Sequence, residues 1–525
     1  MRSILLLFCI FYCSLGFSKN PGDDQAKIKS IFDADAPSCG REYDKTASFD
    51  QEIINIKNRR EFFWDETMID VSKTTATPKI HELIRRECVL THDDTWEGDC
   101  CDFHNFFYDN GLYRLYYLGW DSGNPDAISV CYAESKDGIN WVKPQLGLRE
   151  FNSSKKNNII LDQTDSSVFL ESFFVFKDEN PACPPEEKYK GIACDKVGNK
   201  RILLCFVSPD GINFKRGWIL TDKGAFDSLD VILWDAKSKK YMGYIRDFHN
   251  PVVANQYWTG TRDIRYMESE DFRNWSDPKI LDFDDANDYP LYTNCISQYY
   301  RGKHVFVGFP SRYVERKEWT DTYDKLTGKE KRLARYRDKP RYGLALTDCI
   351  FMISRDGYTW KRYDEALLRP GPEEPNNWVY GNCFPAVGMI EMPGYYPGTD
   401  HELSMYVQSN HWTGIPAKLY RYTIRTDGFV SYHATYKPQV LTTKPFIFEG
   451  DELLINFSTS AIGYMYIKIK DEDGNEINSY ELFGDKIDRQ VGFKDGTLSQ
   501  FKGKPVVMEI KMSDADIYSF IFYFT

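Results

Sequence analysis

Ser135-Lys136-Asp137-Gly138-Ile139-Asn140-Trp141 decides the fold, because the chain repeats it. Ser208-Pro209-Asp210-Gly211-Ile212-Asn213-Phe214 follows, then Ser269-Glu270-Asp271-Phe272-Arg273-Asn274-Trp275 and Ser354-Arg355-Asp356-Gly357-Tyr358-Thr359-Trp360. Thr426-Asp427-Gly428-Phe429 is a worn fifth copy. Asp-Gly makes a tight turn, since glycine accepts positive φ and the aspartate side chain can hydrogen-bond its own turn. Apolar runs such as 127–133, 202–207 and 349–353 precede the turns, and an aromatic follows three or four residues after. Each copy therefore reads as strand, turn, strand, with the aromatic folded back on the sheet. The copies lie roughly 60 to 85 residues apart, room for one four-stranded sheet each. The expectation is an all-β chain built on a five-bladed β-propeller.

Working outward, residues 1–18 carry Arg2, an apolar run at 4–12 and the small residues Ser14, Gly16 and Ser18. They read as a cleaved signal peptide, which predicts a secreted or periplasmic protein; the run is too short to span a bilayer, and no later one is long enough. Residues 19–60 read as a loose lead-in and 61–435 as the propeller. From 436 to 525 the pattern becomes alternating strands split by turns such as Asp471-Glu472-Asp473-Gly474, the pattern of a C-terminal antiparallel β-sandwich. A charged excursion at 314–340 interrupts the fourth blade and reads as a solvated loop with a helical turn, placed to rise beside the pocket mouth. No segment longer than a turn or two has a helical period.

The 525 residues carry a net charge of −12, which argues against a nucleic-acid partner. Aromatics make up 16%, a content that serves either pleated sheets or stacking on sugar rings. Thirteen cysteines less Cys9 and Cys13 leave eleven, an odd number with irregular spacing that argues against a disulfide framework, although an isolated bridge such as Cys183 with Cys194 is compatible. Cys100-Cys101 lacks metal-site spacing, and the eight histidines include no His-x-His or His-Glu-x-x-His, so neither metal nor cofactor is expected. Nucleophile elbow, Walker loop and dinucleotide fingerprint are all missing.

A propeller binds its ligand at the mouth of the central channel, where innermost strands begin and second strands end. Innermost-strand starts offer Glu97, Asp99 and Asp102, then Glu171, Asp227 and Asp230, Asn294, and Asn377 with Trp378. Second-strand ends offer Trp120-Asp121, Arg246-Asp247, Arg312-Tyr313 and Asn410-His411-Trp412. A ring of carboxylates with a few arginines and tryptophans suits glycoside hydrolysis: one carboxyl group protonates the leaving oxygen and another attacks or activates water.

These blades, with Trp96-Glu97-Gly98, Ala225-Phe226-Asp227-Ser228, Arg246-Asp247-Phe248 and Phe309-Pro310-Ser311-Arg312-Tyr313, resemble secreted five-bladed β-propeller glycoside hydrolases of the family 32 and 43 kind. The resemblance implies an exo-acting hydrolase of plant or microbial oligo- or polysaccharides. It implies Asp227 as general acid, Asp102 or Glu97 as nucleophile or base, and Asp247 as a positioning group. Trp120, Asp121, Arg246, Asn294, Arg312, Trp378 and Asn410 would hold the sugar. A non-catalytic carbohydrate-binding propeller and a glycoside phosphorylase remain the alternatives.

Overall fold

The computed structural model describes residues 51–163, 170–253 and 256–524, without the side chains of Pro125 and Asp126; the expected signal peptide lies outside them. Five sheets, antiparallel in their four principal strands, follow one another as blades. Blade one is Asn105–Asp109, Leu112–Asp121, Asn124–Ser135 and Trp141–Val142, with Ile159–Asp162 added to its third strand. Blade two is Glu171–Lys177, Tyr189–Val197, Lys200–Ser208 and Lys215–Thr221. Blade three is Val231–Asp235, Lys240–His249, Thr261–Ser269 and Lys279–Ile280. Blade four runs through Ser297–Gln298, Phe306–Gly308, Met352–Ser354 and Thr359–Arg362. Blade five takes Ile390–Met392, Glu402–Ser409 and Lys418–Arg425 from one end of the ring, and its outermost strand, Ile84–Thr91, from the other. Hydrogen bonds between distant parts of the chain thus close the ring.

The repeated turns join third to fourth strands in blades one to four, and they share one wiring. In the first, the Asp137 carboxylate accepts the backbone N–H groups of Ile139 and Asn140 (2.9 and 2.8 Å) and the Asn140 side chain, while Ser135 Oγ accepts the Gly138 N–H. The copies at Asp210 and Asp271 repeat these bonds, and the copy at Asp356 repeats the backbone ones. The turn's backbone carbonyl takes an indole N–H from its own blade in blades one and four (Trp141 to Gly138 O, 3.2 Å; Trp360 to Gly357 O, 3.1 Å), and the preceding blade also uses it. Tyr116 donates to Gly211 O and Tyr244 to Gly357 O, both at 2.9 Å, and Tyr406 donates to Gly138 O. Blade two has no tyrosine at the equivalent second-strand position, and Trp218 donates to Phe272 O (3.1 Å) instead.

The fifth copy breaks the pattern. After Lys418–Arg425 the chain leaves the ring, so Asp427 caps no fourth strand and is fully buried. Its carboxylate takes Tyr299 Oη (2.7 Å) and Arg301 Nη1 (2.9 Å) from blade four, and Ser519 Oγ (2.7 Å) from the C-terminal strands. Arg60 Nη1 stands at 3.7 Å.

Ser311–Glu315 and Ala345–Cys349 pair with each other, Asp282–Phe283 pairs in parallel with Thr359–Arg362, and ten further strands form one sheet enclosing an apolar cluster that includes Phe63, Phe446, Ile467, Met508 and Phe520. Its longest members, Glu452–Asp471 and Val506–Tyr523, pair along most of their length, with a register shift between Thr459 and Tyr464. The N-terminal strands Ile54–Lys57, Glu61–Phe62 and Thr77–Ile80 pair here and not in the propeller. The boundary expected at 61 therefore falls between Ile80 and Ile84, and the exit expected near 435 falls between Arg425 and Val430. Local alternation could not reveal this, because strand partners are 350 or more residues apart in sequence.

The excursion at 314–340 is more helical than expected, with Asp321–Lys325, the ten-residue Lys329–Asp338, and Pro340–Leu344. Lys-Glu-Lys-Arg-Leu-Ala-Arg-Tyr-Arg-Asp favours helix by propensity but carries too few apolar residues to show a period. The ten described cysteines are all unbridged, Cys183 and Cys194 included. Among the described residues no helix is long and apolar enough to cross a membrane.

Removing the Asp427 carboxylate would leave the two arginines of the junction, Arg60 and Arg301, to share Asp488, which bonds them at 2.5 and 2.7 Å. Asp427→Ala is expected to lower the unfolding free energy by about 3–5 kcal/mol, read from urea denaturation; a loss below 1 kcal/mol would show the junction to be held by packing alone.

Candidate active site

Each blade carries a left-handed residue near the start of its innermost strand: Phe103 (φ 51°), Ser172 (63°), Phe226 (54°), Cys295 (44°) and Cys383 (60°). None is glycine, and such backbone costs on the order of 1–3 kcal/mol per residue. The kink breaks the pleat, as the register shift between Glu171 and Phe174 records. In blades one and two the residue before it, Asp102 or Glu171, turns into the axial channel, and in blade three the residue after it, Asp227, does so. The three acids line one cavity of 730 Å³ to which all five blades contribute.

Their environments differ. Asp102 is almost fully buried, its Oδ1 lacks a hydrogen-bond partner among the described residues, and its backbone carbonyl is held by the Leu118 N–H (3.1 Å). Burial pushes its pKa well above the usual carboxylate range, and the nearby Glu171 charge adds to the shift. His411 Nδ1 stands 3.9 Å from Asp102 Oδ2, but burial and then Arg335 push this imidazole down to about 3, so it is neutral. Glu171 receives Arg201 Nη1 at 3.1 Å. Its pKa is nonetheless raised, because burial and the Asp227 charge outweigh the arginine. Asp227 lies 3.3 Å from the buried Arg246 Nε, a charge contact whose angle does not make a hydrogen bond. Arg246 is itself tied in, its backbone carbonyl accepting the N–H groups of Ala225 and Phe226.

Aromatic rings wall the cavity. Tyr380 donates to Tyr292 Oη (2.8 Å), Tyr292 stacks on Phe384, and Trp412 meets Tyr342 edge-on at 4.8 Å. Trp120 lines the blade-one side, and residues 338–342 of the excursion form part of the rim. Arg332 and Arg335 anchor this excursion to blade five by donating to the carbonyls of Trp378 (2.5 Å) and His411 (3.2 Å).

Of the residues expected at the site, Asp102, Asp227 and Trp120 line the cavity, and Arg246 backs Asp227. The others do not line it. Glu97 is sealed beneath blade one, bound by Lys143 Nζ and Tyr117 Oη (both 2.6 Å). Asp247 alternates to the opposite strand face from Arg246 and pairs with Arg265 (3.1 Å). Asp121, one residue past Trp120, is exposed and accepts the Gly123 N–H. Asn294 clamps the carbonyls of Leu229 and Tyr244 across two blades. Arg312 is locked bidentate on Asp348 (2.8 and 2.7 Å). Trp378 and Asn410 spend their side-chain N–H groups on the carbonyls of Gly371 and Pro416.

Glu171, visible in sequence as a strand start, was not among the residues expected to act. Arg201 and Arg262, on third strands, were missed; the hairpin joining second to third strand is also at the mouth, so the first residues of third strands carry the same positional signal. Among the described residues no cluster of histidine, cysteine, aspartate and glutamate is arranged to hold a metal.

No family model matches the sequence, and no curated protein matches it. Similar solved structures include an N-acetylgalactosamine deacetylase from F. plautii in complex with blood group B trisaccharide, 12% identical at a TM-score of 0.40 over 67% of this chain and 96% of that one. A Bombyx mori GH32 β-fructofuranosidase is 10% identical at 0.39, over 85% and 94% of the two chains. A family 43 arabinoxylan arabinofuranohydrolase from Bacillus subtilis is 12% identical at 0.36, over 86% and 100%. The chemistry of the site is read from its own residues.

Glu97 provides a stability test separate from the cavity. Burial alone would raise its pKa, but His92 at 3.6 Å and Lys143 at 2.6 Å outweigh it and hold the carboxyl down at about 2, against 4.5 when free. A depressed folded-state pKa stabilises above the unfolded value, and that share is lost as pH falls from about 4.5 toward 2. Glu97→Gln should cost about 3 kcal/mol at pH 7 and flatten the acid limb of stability against pH. Urea midpoints unchanged across that window would contradict the ion-pair account.

Proposed function

We propose that the protein is an exported glycoside hydrolase that removes a terminal sugar in the axial cavity. The observation that carries this reading is the convergence of three carboxyl groups in unlike environments, Asp102, Glu171 and Asp227, within an aromatic-walled cavity. Export rests on the apolar run at 4–12. A pocket walled from all five blades and rimmed by residues 338–342 suits a chain end better than a chain middle, which favours exo action.

Glycosidic cleavage requires one carboxyl group that donates a proton and a second that acts as carboxylate. Glu171, with its raised pKa and its opening to the cavity, is the proton donor to the leaving oxygen. Asp227, ion-paired to Arg246, supplies the carboxylate that attacks the anomeric carbon or activates water. The donor role expected for Asp227 passes to Glu171, because burial raises the Glu171 pKa despite Arg201 beside it. Asp102, kept neutral by burial, donates a hydrogen bond to a sugar hydroxyl. The rings of Trp120, Tyr380 and Trp412 offer apolar faces to the sugar.

Glu171→Gln should lower kcat by about 10²–10⁴-fold while sugar binding and near-UV circular dichroism stay as they were. Wild-type activity should fall as pH rises through the elevated Glu171 pKa, and the variant should lose that limb. A glycan panel read by reducing-end release makes the measurement. Glycan binding with no release from any substrate would leave a carbohydrate-binding propeller, and near-normal turnover in Glu171→Gln would remove Glu171 from the donor role.

A further inference from the structure

Bond cleavage leaves three donors in the cavity without a task. Arg262, near the start of the third strand of blade three, lays its guanidinium over the Tyr313 ring at 3.8 Å. Its buried Nε has no hydrogen-bond partner among the described residues. The Tyr313 hydroxyl, in a side chain 1% exposed, has none either. Arg341, from Pro340–Leu344, reaches the same cavity, where it donates to Tyr342 Oη at 2.8 Å. Tyr313 lies within the electrostatic reach of both arginines, which oppose the upward push that burial gives its hydroxyl.

Four other arginines around the mouth have carboxylates, and Arg332 and Arg335 have backbone carbonyls. Arg201 has Glu171, Arg246 has Asp227, Arg265 has Asp247 and Asp263, and Arg312 has Asp348. Arg262 and Arg341 have no carboxylate within ion-pair distance among the described residues. A guanidinium stays charged at any working pH, so one held in a half-buried cavity without an anion is unfavourable in isolation. Ring stacking fixes its plane while leaving N–H edges free, the arrangement that suits bidentate capture of an oxyanion.

We propose that the sugar bound in this cavity carries an oxyanion, a uronic-acid carboxylate or a sulfate ester, held by Arg262, Arg341 and the Tyr313 hydroxyl. This names the substrate class for the glycan reading above and rests on it. The test is titration calorimetry of the full chain with a hexuronic acid, its methyl ester, the neutral parent hexose and that hexose 6-sulfate.

The acid or the sulfate should bind at least about 10-fold more tightly than the neutral forms, as a charge-assisted hydrogen bond implies. Whichever anion binds better identifies the source. Arg262→Gln and Arg341→Gln should each shrink the preference, and Arg262→Lys should restore part of it. Should Arg262→Gln fail to fold, Arg341→Gln, on a short surface helix, carries the test. Equal binding of charged and neutral sugars, or a preference that survives both substitutions, overturns the proposal. So does inorganic phosphate binding through Arg262 together with cleavage of neutral glycans only in its presence. Reducing-end release separates the two readings: anion-selective binding without release refutes hydrolysis and keeps this site, whereas release from neutral glycans alone does the reverse.

Discussion

A single backbone carbonyl per turn holds the ring together. Aspartate and serine side chains satisfy the N–H groups of the Ser-x-Asp-Gly turn, and the next carbonyl points outward: in blades one and four it takes the indole N–H of its own Trp141 or Trp360, and in blades one, two and four a tyrosine hydroxyl of the preceding blade. A buried carbonyl left unpaired costs about as much as a lost hydrogen bond. The tyrosine of the preceding second strand makes that bond across the blade boundary, and Tyr116, Tyr244 and Tyr406 sit at equivalent places in blades one, three and five. The motif that looks like a local turn is therefore an inter-blade rivet. Its spacing fixes how far each blade rotates from the next, and hence where the five innermost strands open.

The fifth turn exchanges that role for another. With no fourth strand to lead into, Asp427 becomes the point where the propeller meets the C-terminal strands, and its backbone carbonyl takes the Trp64 indole N–H (3.1 Å) in place of a blade tyrosine. Ring closure by Ile84–Thr91 and this junction bring the two ends of the propeller segment to the same sector. The long-range pairings fix the last blade, and with it His411 and Trp412 at the cavity edge.

The propeller was legible because its signal is local and repeated: an apolar run, an Asp-Gly and an aromatic recur within a few residues. The sheet containing residues 54–80 was not, because which strand pairs with which is decided by a core assembled from both ends of the chain. At the mouth, the reading by strand starts found Asp102 and Asp227 and named Glu171. It admitted Glu97 and Asp247 because position along a strand does not reveal which face a side chain takes. Asp247 fails by one step of the pleat, and Glu97 because Lys143, 46 residues away in sequence, claims it. The left-handed kinks that aim the acids fall on Phe, Ser and Cys, residue types that carry no turn signal, so nothing local announced them.

Those kinks and the acids belong to one arrangement. Five strained residues, a buried Asp102 and an arginine facing a cavity without an anion each cost stability where they stand. Such violations persist only where surrounding structure over-determines them, and they gather where function needs them. The rivets supply that over-determination, since relaxing one strand start would mean rotating a blade against its neighbours. The same rigidity holds the acids in unlike surroundings within one small cavity. Glu171 cannot swing out to full hydration or move closer to Arg201, so burial and the charge of Asp227 keep its pKa raised, while Arg246 stays fixed beside Asp227. The surroundings of the proposed proton donor and carboxylate are thus held by the packing of blade on blade, to which the tyrosine bonds to the turn carbonyls contribute.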